Sequence, residues 1–355
     1  MKRMTAAALA LALGVAQSAR AQQVPEKIAK HTGPVRIAVI RNLGSDDHTS
    51  QFLAGAKEEG EALGFRVDTF ISNGDDAKFQ DLVALASSQK YDGIVLSHGK
   101  DPYATGLVKG LAAKGIAVSV FDTALSEKIP GVTATSQKDE SLAALSLGEL
   151  VKDSAGKATI LKLWVAGFPP MERRQAVYKE VLAKNPGIQE LEVIGAVSAD
   201  VPGDTANKVG AALAKYPKGK LTAIWASWDA FAQGAYKALV ENGRTEVKIY
   251  GIDVSNPDLE AIQKAGSPWQ STAAVDPKLI GAVNVRLVAR KLAGEATPEA
   301  YEFPAALIRQ ADLAKAKTPV NVATLAAVVP GWGQSADFDT PWLAALRAKH
   351  GKKKT

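Results

Sequence analysis

From Val35 onward the chain alternates short apolar runs with longer segments of helical spacing. Runs rich in β-branched and aromatic residues fall at Val35–Ile40, Phe65–Ile71, Gly93–Leu96 and Ala117–Phe121 and read as strands. Between them, helical patterns occupy about His48–Leu63, Ala77–Gln89 and Tyr103–Lys114. In the first helix Phe52, Leu53, Ala56, Gly60 and Leu63 share one face, while Lys57, Glu58 and Glu61 face water. Gly64, Gly115 and Gly243 each follow a helical pattern, where a left-handed residue closes the helix. The pattern then restarts, with strands expected at Ala158–Trp164, Leu191–Val197, Leu221–Ala226 and Val247–Ile252. Helices are expected near Met171–Ala183, Asp204–Lys215, Asp229–Glu241 and Pro257–Lys264. Alternating strand and helix implies parallel sheets covered on both faces. Such a set can close into one barrel or form two open sheets. The helical segment Glu140–Val151 between the sets favours two lobes, since it can cross from one to the other. No residue-level repeat supports a solenoid.

The ends of the chain read differently. Lys2 and Arg3 precede the short apolar run Ala6–Ala16, and Ala19-Arg20-Ala21 places small residues where a signal peptidase reads them. That run falls short of the ~20 residues a spanning helix needs. Residues 1–21 are therefore expected to be a cleaved signal peptide, followed by a polar linker at 22–34. The chain has no cysteine, which excludes a disulfide and an acylated-cysteine anchor. It is expected to be free in the exported compartment, the periplasm of a cell with two membranes. A hydrophobic content of 46% and a charged content of 23% fit an ordinary soluble protein. The net charge of +6 does not point to nucleic acid. Lys2, Arg3 and Arg20 leave with the signal, and Lys349, Lys352, Lys353 and Lys354 form a solvated tail, so the body is close to neutral. After Ile308 the alternation stops. Val320–Gly333 is apolar with Pro330, Gly331 and Trp332, Pro341–Ala348 fits a short helix, and 309–355 is expected to wrap over one lobe.

Chemistry-bearing side chains gather just after the strands. Asn42, Ser45, Asp46, Asp47, His48 and Thr49 follow the first, Ser97 and His98 the third, Asp122 and Thr123 the fourth. In the second set Trp164 ends one strand, Trp228 and Asp229 follow another, and Asp253 follows the next. Parallel sheets bring such ends to one edge, so two facing lobes would aim them into one cleft. Each has a plainer alternative: Asp46, Asp47 or Asp229 as helix caps, Asp253 as a turn residue, Arg173 and Arg174 as a surface salt bridge at the start of a helix. Strand alternation makes Trp225 core, whereas Trp228 in the loop reads as a ligand platform. Carboxylates accept sugar hydroxyls in pairs and aromatic faces cover the C–H face of a ring, so an acidic, aromatic-lined cleft suits a sugar. Catalytic and metal signals are weak. There is no G-x-S-x-G elbow, no Walker loop and no G-x-G-x-x-G after the first strand. Asp46-Asp47-His48 resembles a metal cluster only superficially, because adjacent residues rarely converge on one ion. Neither a metal nor a cofactor is expected.

In combination, IAVIRNLGSDDHTSQFLAGAKEEGEALGF, YDGIVLS, IAVSVFDTA, MERRQAVYKEVL, WASWDAFAQGAYKAL and VKIYGIDVS resemble the periplasmic substrate-binding proteins of ribose-type sugar ABC transporters, over about Val35 to Ile308. The resemblance implies the type I periplasmic binding protein fold, α/β with two Rossmann-like lobes joined by a three-stranded hinge. The lobes would be 35–136 plus 276–308 and 137–275. It also implies a monomer that closes on a monosaccharide or polyol and delivers it to an ABC permease. Carried over by position, ligand contacts fall on Asn42, Asp46, His48, Thr49, Ser97, His98 and Asp122 in one lobe, and on Arg174, Trp228 and Asp253 in the other; Trp164, at its strand end, is expected among them from its position alone. Four departures argue against a plain ribose site. His48-Thr49 replaces an aromatic pair, Thr123 stands where an arginine often follows the aspartate, Trp228 replaces an asparagine, and Val275 takes the place of a glutamine. A pentose, hexose, deoxy sugar or polyol is expected. The competing classes are a sensor subunit that relays a sugar or quorum signal to a kinase or chemoreceptor, and an exported enzyme.

Overall fold

The computed structural model describes residues 23–351 except 45, 197 and 199, so the expected signal segment and Lys352–Lys354 lie outside the described residues. The chain divides into two compact units, one of residues up to 135, 277–301 and 335–355, the other of 136–276 and 302–334.

Strands β1 (Arg36–Arg41), β2 (Arg66–Ile71), β3 (Gly93–Ser97), β4 (Ala117–Phe121), β5 (Thr133–Gln137) and β11 (Ala300–Phe303) form the first unit's sheet in the order β11-β5-β4-β3-β1-β2, with the last two residues of β5 and of β11 counted in the second unit. The pairs within β5-β4-β3-β1-β2 are parallel. In the second, β6 (Ala158–Leu163), β7 (Ile188–Ile194), β8 (Ala223–Ala226), β9 (Lys248–Ile252), β10 (Trp269–Ala274) and β12 (Ala306–Arg309) follow the order β12-β10-β9-β8-β6-β7, with only β12 antiparallel. The same winding thus occurs twice, and each order reverses beside its first strand. These are the two α/β windings that the resemblance implies. Buried apolar strands such as β3 and β8 require helices on both faces, since each residue of either strand is inaccessible.

Among the described residues the helices run in sequence order: α1 (Glu26–Ala29) lies ahead of β1, then come α2 (Asp47–Ala62), α3 (Asp76–Ser88), α4 (Tyr103–Ala113), α5 (Asp139–Asp153) and α6 (Pro169–Lys184). They are followed by α7 (Val201–Lys215), α8 (Asp229–Glu241), α9 (Asn256–Gln263), α10 (Pro277–Ala293), α11 (Gln310–Leu313) and α12 (Pro341–His350). Helices α2 and α10 pack backbone to backbone through two glycines. A Cβ on Gly55 would lie 2.1 Å from the Lys278 carbonyl oxygen, and one on Gly281 2.1 Å from that of Phe52.

Three expectations change. Helix α5 does not cross between units, because Leu142, Ala143, Leu147 and Leu150 are buried in the second unit's core. Strand β5 was not foreseen, since TATSQ carries little apolar signal even though Thr133, Thr135 and Gln137 are buried. The terminal segment does not wrap a single lobe. Val320, Val322, Leu325, Val329 and Trp332 bury in the second unit, whereas α12 belongs to the first, where Arg347 binds Glu59 at 2.7 Å and Trp342 donates to Glu295 at 2.6 Å. The unit boundaries consequently fall at 301/302 and 334/335 rather than at 308.

Candidate functional site

In the first unit the carboxyl ends of β1, β3 and β4 lie level, with Arg41 paired to Ser97 and Ser97 to Phe121. One residue further, His98 and Asp122 adopt left-handed backbones, φ 62° and 42°. Their amides still bond onward, His98 to the Phe121 carbonyl at 3.0 Å and Asp122 to that of Thr135 at 2.9 Å. Non-glycine residues held at positive φ cost about 1–3 kcal/mol each and gather where side chains must be aimed. In the second unit, Trp164, Ser227 and Asp253 hold the corresponding places, and Asp253 again has a left-handed backbone at φ 70°. Asp122 and Asp253 therefore occupy equivalent positions after the fourth strand of each winding. Both are buried, at 7% and 6% exposure.

The first unit gathers its groups around Arg41, which ends β1 and is 1% exposed. Its Nε donates to Thr49 Oγ1 at 2.9 Å, its Nη1 to Ser97 Oγ at 3.1 Å and its Nη2 to His48 Nδ1 at 3.2 Å. Ser97 Oγ in turn lies 2.8 Å from His98 Nδ1. The guanidinium carbon sits 4.8 Å from the Phe52 ring centroid, so a cation–π contact contributes to holding it. Four sequence-predicted residues, His48, Thr49, Ser97 and His98, thus share one network, whose centre the sequence reading missed.

Two others face different partners. Asn42 donates to Asp76 Oδ1 at 2.7 Å and to the Tyr103 hydroxyl at 3.1 Å, and accepts from Ser72. Burial pushes the Asp76 carboxyl up, but Asn42, Tyr103 and Lys100 outweigh it and leave its pKa below the ordinary value. Asn42 therefore secures the loops in this structure. Asp46 is exposed and caps α2, accepting from the Thr49 amide at 2.6 Å, which is the capping alternative left open by the sequence.

The second unit centres on Arg174. It lies in the second turn of α6, which begins at Pro169 rather than beside the arginines, and is 1% exposed, so it is no surface pair. Nε donates to Asp139 Oδ1 at 2.8 Å, Nη1 to Asp253 Oδ2 at 2.9 Å and to the Ser227 carbonyl at 2.6 Å, and Nη2 to Asp253 Oδ1 at 3.2 Å. Arg173 donates to Asp139 Oδ2 at 2.9 Å. Burial works against the Arg174 charge, but the Asp253 and Asp139 carboxylates outweigh it and raise its pKa. Burial likewise pushes Asp139 up, against the pull of both arginines.

Gln137 completes this cluster, donating from Nε2 to Asp253 Oδ1 at 3.2 Å. The carboxylate can only accept, which fixes the amide orientation. Gln137 Oε1 is then left buried with no hydrogen-bond partner among the described residues. Asp139 and Gln137 were both missed. Asp139 reads in the sequence as an ordinary acidic residue in a first helical turn, and Gln137 lies in the unforeseen β5.

The tryptophans divide. Trp225 is fully buried and stacks on Tyr178 with centroids 4.8 Å apart. Half-buried Trp228 precedes α8 and meets Phe231 edge-on at 5.5 Å. Trp164 donates from its indole to the Met171 carbonyl at 2.8 Å, and the Lys162 ammonium lies 4.4 Å from its ring centroid. Chemically, the two units offer buried carboxylates, a fixed guanidinium, two imidazoles and aromatic faces, a set suited to hydroxyl-rich neutral ligands. Among the described residues no group of three or more His, Asp or Glu side chains is placed to hold a metal ion. None of their helices is long and apolar enough to cross a membrane.

Residues 37–296 match the periplasmic binding protein domain family, and the chain belongs to it. Among solved structures it is similar to a sugar ABC transporter protein of Yersinia enterocolitica, with 66% identity, a TM-score of 0.89, and 93% of this chain and 99% of that one covered. It is also similar to a 5-methylthioribose transporter solute-binding protein of Thermotoga lettingae in complex with 5-methylthioribose, at 29% identity and TM-score 0.84, covering 92% and 100% of the two chains. A ribose import binding protein of Salmonella typhimurium is 25% identical over 316 residues, 87% of this chain and 98% of that protein.

Proposed function

We propose that the protein is the periplasmic solute-binding component of an ABC importer, and that it takes a monosaccharide or related polyol: a pentose, hexose or deoxy sugar. The observation that carries this reading is the Arg174–Asp253–Gln137 cluster at the strand ends of the second unit, with its unserved Gln137 oxygen. Ligand hydroxyls bridge such groups, donating to a carboxylate or amide oxygen and accepting from a guanidinium. Asp122 and Asp253 are the proposed acceptors, Arg174 the donor, and Trp228 the apolar face for ring C–H groups. His48, Thr49, Ser97 and His98 belong to the same proposed set through their Arg41 network. The protein binds without turnover, acts as a monomer after loss of residues 1–21, and hands its cargo to an inner-membrane permease.

A thermal-shift screen over pentoses, hexoses, deoxy sugars, polyols and 5-methylthioribose tests the reading. A ligand present at 100 times its Kd stabilises the folded state by about 2.7 kcal/mol, a readable shift. In calorimetry, Asp122→Ala removes a charged acceptor worth ~1.5–3 kcal/mol, so affinity for the identified ligand falls roughly ten- to hundredfold. A panel with no shift, or a sugar converted by the pure protein, overturns the proposal.

A further inference from the structure

Arg41 constrains the two histidines near it more tightly than distance alone conveys. A guanidinium carries only donors and keeps its proton in any protein environment. Nη2 of Arg41 lies 3.2 Å from Nδ1 of His48, so that nitrogen accepts and carries no hydrogen. Ser97 Oγ accepts from Nη1 at 3.1 Å, and Ser97 is wholly buried. Among the described residues, the acceptor that remains for the hydroxyl hydrogen is His98 Nδ1, 2.8 Å away. Reversing that bond would leave a buried hydroxyl hydrogen unserved, at a cost of ~1–3 kcal/mol.

We propose that Arg41 is a positioning residue that fixes His48 and His98 as neutral imidazoles protonated on Nε2, directly for His48 and through the Ser97 hydroxyl for His98. The guanidinium is itself held by Thr49 Oγ1 at 2.9 Å and by the Phe52 ring. The left-handed backbone at His98 fixes where its ring starts. The consequence rests on the sugar-binding reading above. Where such an Nε2–H faces a ligand it can act only as a donor, and the oxygen it meets is then an acceptor: hydroxyl, ring ether or carbonyl. The Asp122 carboxylate supplies the complementary acceptor.

The chain has four histidines, which makes long-range proton–nitrogen spectra of the intact protein labelled with 15N-histidine simple to assign by single substitution. At pH 7.5 His48 and His98 are expected to show a lone-pair nitrogen at Nδ1 and a protonated Nε2. His31 is an internal contrast, because both its nitrogens face acceptors, the Gly33 carbonyl and Asp92 Oδ1, each at 3.0 Å. Ser97→Ala should shift the His98 tautomer signature and leave that of His48 in place, while Arg41→Met should shift both. Should Arg41→Met fail to fold, the unsubstituted protein and Ser97→Ala decide the matter. An Nδ1-protonated ring at either histidine, or a His98 pattern unchanged by Ser97→Ala, overturns the proposal. Nε2-protonated rings whose signals no sugar moves would support the tautomer assignment and count against the ligand reading instead.

Discussion

Arg174→Lys keeps the charge and removes the shape, which makes it the sharpest test of how the second unit's cluster works. The guanidinium spans two carboxylates on different edges, Asp139 from Nε at 2.8 Å and Asp253 from Nη1 and Nη2 at 2.9 and 3.2 Å, and also serves the Ser227 carbonyl at 2.6 Å. A lysine ammonium is a point with three donors and cannot reproduce that fork. Asp139 retains Arg173, so an ammonium drawn to Asp253 is the better of the two arrangements, yet it forfeits the paired contact and the Asp139 bond. Charge-assisted hydrogen bonds are worth ~1.5–3 kcal/mol each, and a broken buried ion pair costs about 3–5 kcal/mol. We expect a loss of about 3–5 kcal/mol, all of it in the second unit. Urea unfolding followed by tryptophan fluorescence reads this directly, because Trp164, Trp225, Trp228, Trp269 and Trp332, five of the six tryptophans, lie in that unit. Ligand affinity measured alongside should fall as well. A variant within ~1 kcal/mol of the parent and equal in affinity would refute the argument, since charge alone would then suffice and the fork geometry would be irrelevant.

Gly281→Ala should destabilise the first unit by about 1–3 kcal/mol or more, because the new Cβ meets the Phe52 carbonyl at 2.1 Å; faster hydrogen exchange in α2 would register it. Gly110→Ala in α4 is the counter-case: nothing lies within 4 Å of its Cβ, so a gain of ~0.4–1 kcal/mol is expected from the same measurement. Burial pushes the Asp258 carboxyl up to about 6, despite hydrogen bonds from Ser255 and Gln233. Its folded pKa exceeds the unfolded value, so the proton stabilises the fold; that contribution is complete below pH 3.8 and is lost as pH rises through about 6. The difference is on the order of 3 kcal/mol, and Asp258→Asn should flatten the stability profile between pH 4 and 7 in urea titrations. Trp332→Ala should cost the second unit about 3–5 kcal/mol in the same fluorescence assay, since the ring is buried and its indole donates to the Val322 carbonyl at 2.9 Å.

Much of this molecule is written in local pattern. The strands β1, β3, β4, β8 and β9 are apolar runs with polar residues immediately after them, and that arrangement alone put His98, Asp122 and Asp253 at strand ends. Boundaries drifted where polar residues continue an element. Strand β7 begins at Ile188 rather than Leu191, and α7 at Val201 rather than Asp204, because Asp200 caps the helix four residues before the expected start. Residues whose neighbours are distant in sequence were harder to read. Arg41 looks like the first polar residue after a strand, yet it is the strand's last residue and is buried by partners 7, 8 and 56 positions away. Its only local signal was a charge directly abutting an apolar strand.

The sequence by itself determined the alternation, hence two windings of parallel sheet, and the strand-end positions where polar side chains gather. It did so because periodicity and the switch from apolar to polar residues are short-range properties of the chain. Tertiary structure alone decided which of those residues act together: that Arg174 is clamped between Asp139 and Asp253, that Asn42 turns to Asp76, and that one buried guanidinium organises two histidines. Those choices depend on hydrogen-bond geometry and desolvation across tens of residues, and burial makes an unsatisfied group costly enough to fix them.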